Sequence, residues 1–190
     1  MEHIFSHHGK KEDIINASIK LFAEKGYDAV SVRDISKEAG VTEAALYKHF
    51  KGKEDMFLSI FKEIIREYCR RIIIIKEMDL AAVEKLCRIV ALTFDLYEAH
   101  PSEMRFALIT QHKFWESLPD DLKPHLLFRS ILEEGMTAGE IQEEEVYILI
   151  TVYTGLLLEP LAQYPYFFDV LPPLPELKLR IMAKVRKLLS

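Results

Sequence analysis

The sequence predicts an all-helical protein in two parts. A three-helix helix-turn-helix domain occupies 1–53, and a helical body occupies 54–190, with about nine helices in all. Three observations carry this. Breakers are few, at seven glycines and eight prolines in 190 residues, and no alternating strand pattern persists. Apolar residues recur at helical spacing along most of the chain. The stretch from Ser31 to Lys53 reads as two short helices joined by a glycine turn, the spacing of a helix-turn-helix unit.

The first helix is expected over Lys11 to Lys25, with Ile14, Ala17, Ser18 and Leu21 on one stripe and Ile15 and Phe22 widening it. Gly26 ends it, and Tyr27 is expected to tuck into the small core. Ser31 is a good N-cap, and Asp34, three residues on, completes a variant of the capping box. Gly40 stands where a left-handed residue ends that helix. Val41 is expected inside, and Thr42 caps a second short helix, whose Leu46 and Phe50 pin one face inward. Glu43, Ala44, Tyr47 and Lys48 are left on the opposite side. A helix this short is not stable alone and must borrow its stability from packing.

A long amphipathic helix follows from Lys53, with Phe57, Ile60, Phe61, Ile64, Ile65 and Tyr68 at i, i+3, i+4, i+7, i+8 and i+11. The isoleucine run from Ile72 to Ile75 reads as its buried end. Further helices are expected over Leu80 to His100, Ser102 to Trp115 (after Pro101 at the first helical position) and Leu122 to Ala138. Val146 to Leu158 has no charged residue and is apolar all round, so one side is expected in the core and the other against a second subunit. Pro165, Pro172, Pro173 and Pro175 read as a rigid, aromatic-bearing loop before a last helix over Glu176 to Leu189. Leu149, Val152, Leu156, Leu157, Ile181, Met182 and Val185 are the candidate dimer interface.

Composition sets limits. Net charge is −5, which argues against an indiscriminate nucleic-acid coat. From Lys10 to Lys53 there are nine Lys/Arg and seven Asp/Glu, so 9 − 7 = +2 there and −7 elsewhere; the placement of charge must carry phosphate binding. Cys69 and Cys87 have neither metal nor disulfide-framework spacing and fit a reducing cytoplasm. Met1 to Lys10 has no apolar core, and no uninterrupted apolar run of about 18 residues suggests a membrane span. His3, His7 and His8 sit near the start, where a frayed terminus is expected over a metal site. No histidine has a glutamate three residues before it, as a di-iron bundle needs. No phosphate loop, nucleophile elbow or zinc-protease motif occurs. Neither an enzyme nor a cofactor is expected; the competing reading is a helical adaptor or small-molecule-binding bundle without DNA activity.

Gly26-Tyr27, Ser31-Val32-Arg33-Asp34-Ile35, Gly40-Val41-Thr42, Leu46-Tyr47-Lys48-His49-Phe50 and Lys53-Glu54 together resemble the N-terminal domain of tetracycline-repressor (TetR) family regulators, over about the first sixty residues. The resemblance implies a cytoplasmic, homodimeric, ligand-responsive transcriptional regulator, usually a repressor, on a near-palindromic double-stranded operator. The short second helix then enters the major groove. Glu43 is placed to accept from a cytosine amino group, which departs from the small or polar residue frequent in the family. Ala44 faces a thymine methyl, and Lys48 a guanine or a phosphate. Tyr47 and His49 match positions that touch the backbone in the family, and Arg33 one that reaches a base in some relatives. Ser31, Thr42 and Lys53 stand at helix starts, where free amides favour phosphate. Removing Lys53 is therefore expected to flatten the salt dependence by roughly one unit of slope. The resemblance also implies a pocket in the body for a hydrophobic small molecule, with Tyr97, His112, Trp115 and Tyr153 as candidate lining.

Overall fold

A computed structural model describes residues 9–190, except the side chains of 109–113; His3, His7, His8 and the side chain of His112 lie outside that description. Nine α-helices and two 3-10 turns are seen among the described residues: α1 Lys10–Lys25, α2 Val32–Glu38, α3 Glu43–Tyr47, α4 Lys53–Lys76, α5 Ala82–Ala99, α6 Pro101–Phe114, 3-10 turns Trp115–Ser117 and Asp120–Leu122, α7 Pro124–Thr137, α8 Val146–Phe167 and α9 Leu174–Leu189. They form two compact units. One holds the described residues up to Glu67 together with His100–Leu118; the other holds Tyr68–Ala99 and Pro119–Ser190. The chain therefore does not divide at 53. The first half of α4 and the whole of α6 join the N-terminal helices, because three short helices cannot enclose a core by themselves.

In this first unit, the head, α1 buries Ile14, Ile15, Ile19, Leu21 and Phe22. It stops at Gly26, whose φ of 78° is open to glycine and whose N–H bonds Phe22 O at 2.9 Å. From α4 come Met56, Phe57, Ile60, Phe61 and Ile64, and from α6 Phe106 and Phe114, all buried. Rings make the centre: Phe57 lies 4.7 Å from Phe22, 4.7 Å from Tyr27, 4.5 Å from Phe106 and 5.1 Å from Phe114. The tilted and edge-on geometries suit aromatic quadrupoles.

The second unit, the body, is built on α5. Lys178 pairs with Asp95 at 2.6 Å and Arg186 with Glu84 at 3.1 Å, so α9 runs antiparallel to α5. Glu140 accepts from the Ala82 N–H at 2.6 Å and caps the start of α5. Gly135 is required by close approach: a Cβ there would stand 2.6 Å from Ala82 Cβ. The Tyr68 and Tyr153 hydroxyls are satisfied, with Tyr68 and Thr93 at 2.7 Å and Tyr153 donating to Leu86 O at 2.9 Å, while the buried Thr154 hydroxyl has no hydrogen-bond partner among the described residues. Burial drives the Tyr153 phenol and the Cys69 thiol upward, the thiol to about 12, so both stay neutral. Cys87 is likewise buried and its thiol pushed up.

Two expectations for the body change. The helix expected to end at Leu158 continues as α8 to Phe167, with Pro160 and Pro165 inside it. A proline within a helix costs about 3 kcal/mol, but Leu157 and Leu161 are wholly buried on either side of Pro160 and hold the segment in place. The isoleucine run is helical throughout, with Ile72 and Ile75 buried and Ile73 and Ile74 exposed, as helical periodicity requires. By length and composition α8 is apolar enough to cross a membrane, with a mean hydropathy of 1.4. Its inner face, however, is core: Leu149, Ile150, Tyr153, Leu157 and Leu161 are buried against the rest of the body.

Candidate nucleic-acid interface

The turn-bounded pair α2–α3 is built by local capping. The Ser31 hydroxyl accepts from the Asp34 N–H at 3.2 Å, and Asp34 Oδ2 accepts from the Ser31 N–H at 2.9 Å. This closes the capping box. Hydrogen bonds from the Ser31 hydroxyl and then its backbone hold the Asp34 carboxyl below its ordinary value. The Ser36 hydroxyl turns back to Val32 O at 2.9 Å, and Gly40 takes φ 65°. The Val41 N–H reaches Ser36 O at 3.0 Å, so the turn stays tight, although Val41 itself is half-buried rather than inside. Thr42 Oγ1 then accepts from the Ala45 N–H at 3.2 Å and opens α3.

α3 is shorter than two turns, with Leu46 fully buried and Phe50 buried just beyond it. These two anchors turn Thr42, Glu43, Ala44, Tyr47, Lys48 and His49 to the surface together. Tyr47 is 52% exposed and presents its ring and hydroxyl on the same face. Ser31 and Arg33 are exposed at the start of α2. The arrangement is a rigid stub with polar and small side chains on one face, able to enter a groove about 12 Å wide.

Lys53 is different. Its ammonium donates to Tyr27 O at 2.8 Å and Val30 O at 2.9 Å, and sits 4.0 Å above the Tyr27 ring. Just before α4, Asp55 Oδ2 accepts from the Lys51 N–H at 2.9 Å and ties the connecting turn to the first turn of the helix. Sequence reasoning missed the roles of Asp55 and Tyr27. Asp55 was legible as an acid in a first turn. The seat on Tyr27 joins residues 26 apart and had no local signal.

The body candidates are scattered. Tyr97 is buried, edge-on to Tyr164 at 6.5 Å, and Tyr153 is wholly buried, edge-on to Phe128 at 5.2 Å. Trp115 opens a 3-10 turn in the head unit and is half-buried. Of the interface candidates, Leu149, Leu157, Ile181 and Val185 fill the body's own core and present almost no surface. Leu156 and Met182 are half-buried and Val152 is exposed, beside exposed Tyr147 and Ile148. The apolar face open to a partner is therefore narrower than expected and lies on the other side of α8.

Residues 14–60 match the family described as bacterial regulatory proteins, tetR family. The chain is 32% identical over 142 residues to the fatty acid metabolism regulator protein of Bacillus subtilis, covering 70% of this chain and 72% of that protein. It is 24% identical over 143 residues to the transcriptional repressor KstR2 of Mycolicibacterium smegmatis, covering 71% and 69%. Among solved structures it superposes on the transcriptional regulator FadR from Bacillus subtilis, crystallised with stearoyl-CoA, with a TM-score of 0.76 and 26% identity over 94% of this chain and 99% of that one. With its capped α2–α3 pair, its all-helical body and a relative of this identity over most of both chains, the protein belongs to the TetR family and is a DNA-binding transcription regulator.

Proposed function

We propose that this regulator is a cytoplasmic, homodimeric repressor, without enzyme activity, whose α3 lies in the major groove of a near-palindromic operator and which a long-chain acyl-CoA releases. The observation that carries it is the identity to a fatty acid metabolism regulator over most of both chains. A structural neighbour of similar length that binds stearoyl-CoA supports it.

On the DNA side, Arg33, Glu43, Ala44 and Lys48 read base edges, while Ser31, Thr42, Tyr47 and His49 set register on phosphates. The common exposure of α3 and its flanks supports this assignment. On the partner side, Val152, Leu156 and Met182, with Ile148, form the apolar stripe that two subunits share across a two-fold axis. On the effector side, Tyr97 and Tyr153 supply ring surface. The Tyr153 hydroxyl is bonded to Leu86 O and leaves only its ring for a ligand.

Fluorescence anisotropy tests the reading, with a duplex obtained by in-vitro selection and stearoyl-CoA against free CoA. Release by stearoyl-CoA of about 5–150-fold, the usual scale of such coupling, with none by CoA, supports it. Equal binding in the presence of both sinks the effector assignment, because a ligand that does not discriminate between two states shifts nothing.

A further inference from the structure

We propose that Lys53 is a positioning residue of the head, an internal tie that aims α2, rather than a phosphate ligand. The proposal deepens the DNA-interface reading above, on which its second readout rests.

The segment from Tyr27 to Val30 leaves α1 and delivers the chain to the Ser31 cap. Val30 is buried, and its N–H reaches Tyr27 O at 3.4 Å, a long bond for a backbone pair. Two of the segment's carbonyls and one aromatic face converge on a single point, and the first residue of α4 fills that point with an ammonium. Charge-assisted bonds to carbonyls and a cation over a ring reinforce one another. An ammonium has three donors, and two are engaged here. Four residues beyond Tyr27, the Ser31 N–H meets Asp34, so whatever fixes Tyr27 and Val30 also fixes the direction in which α2 starts.

The ring under Lys53 is itself held. Tyr27 packs edge-on to Phe57 of α4 at 4.7 Å and to Phe114 of α6 at 6.1 Å, and tilted to Phe22 of α1 at 5.9 Å. Lys53 thus closes a cluster drawn from three helices onto the strap that aims the reading pair. A residue whose only work was outside the fold would need neither the carbonyls nor the ring.

The test uses the full chain carrying Lys53→Met, with Tyr27→Leu as a second variant that keeps both carbonyls and the lysine. Amide hydrogen exchange is read first, without DNA. Lys53→Met is expected to speed exchange at Val30, Ser31, Asp34 and Ile35 by about tenfold. Binding to one selected duplex is then titrated at several salt concentrations. Lys53→Met is expected to weaken it by about tenfold with the salt slope changed by less than about half a unit, whereas a lost phosphate contact changes it by about 0.9. Adding Tyr27→Leu is expected to multiply that loss by less than about twofold, since both changes break one device. Unchanged exchange in DNA-free Lys53→Met overturns the tie, as does a slope reduced by the full contact. Should Lys53→Met fail to fold, Tyr27→Leu decides alone: faster exchange at the same amides at unaltered slope supports the tie, and unaltered exchange overturns it. A wild-type protein that ignores every duplex defeats the DNA-interface reading, while the exchange data still decide the tie.

Discussion

At the scale of single residues, the chain spends its specificity on caps and close approaches. Ser31→Ala removes one half of the capping box, and a loss of about 1 kcal/mol is expected, read as a lower midpoint in urea at unchanged slope. The other half is ionic. With its carboxyl held below the ordinary value, Asp34 contributes stability above about pH 3.8, and that contribution fades as pH falls through the depressed value. The melting-temperature gap between wild type and Asp34→Asn is therefore expected at neutral pH and should close in acid; a gap that widens in acid contradicts the assignment. Gly135→Ala forces a methyl within 2.6 Å of Ala82 Cβ and 2.7 Å of Ile141 Cδ1. Ala82 Cβ is fixed to its own backbone and cannot swing aside as the Ile141 side chain can, and a loss of about 1–3 kcal/mol is expected by thermal melting. The capping box was legible because both partners lie within one turn. The Gly135 contact and the Lys53 seat were not, because each depends on residues that meet only after folding.

At the scale of elements, legibility follows the strength of the periodic signal. α4 carries one apolar stripe, and its expected core residues Phe57, Ile60, Phe61, Ile64, Ile65 and Tyr68 are all buried. α8 has no such contrast: being apolar around its whole girth, it hid both its inner face and its length. Leu149 and Leu157, expected against a partner, belong to the core, and Pro165, expected in a loop, lies with Pro160 inside a helix that packing holds together. The structure separates the faces and yields a prediction. Val152→Glu puts a charge on the exposed stripe without touching the core, so circular dichroism should stay helical while light scattering shows monomer. A dimer that survives Val152→Glu and Leu156→Glu together places the interface elsewhere.

At the scale of the molecule, α3 alone offers a handful of contacts, and five helical residues make too small a surface for useful affinity. Two heads held one DNA turn apart would multiply those contacts, and the half-sites would mirror the two-fold axis. α4 is the one described helix shared by both units, contributing Lys53–Glu67 to the head and the rest to the body. On the proposed reading, an effector bound in the body would have a continuous backbone along which to bias the head. The sequence placed the reading helix and its neighbours because that motif is local. The sorting of α6 with the head was not legible, since its apolar residues fit either unit until Phe106 and Phe114 are seen against Phe57.

The most direct measurement is a dimethyl-sulphate and hydroxyl-radical footprint of the protein on a duplex obtained by in-vitro selection. Two symmetric major-groove protections centred about 34–36 Å apart on one face of the DNA, both lost in a Tyr47→Ala/Lys48→Ala variant that remains folded and dimeric, are the predicted result. A single protected site, a minor-groove pattern, or a footprint untouched by that variant would contradict the placement of α3 on which the account stands.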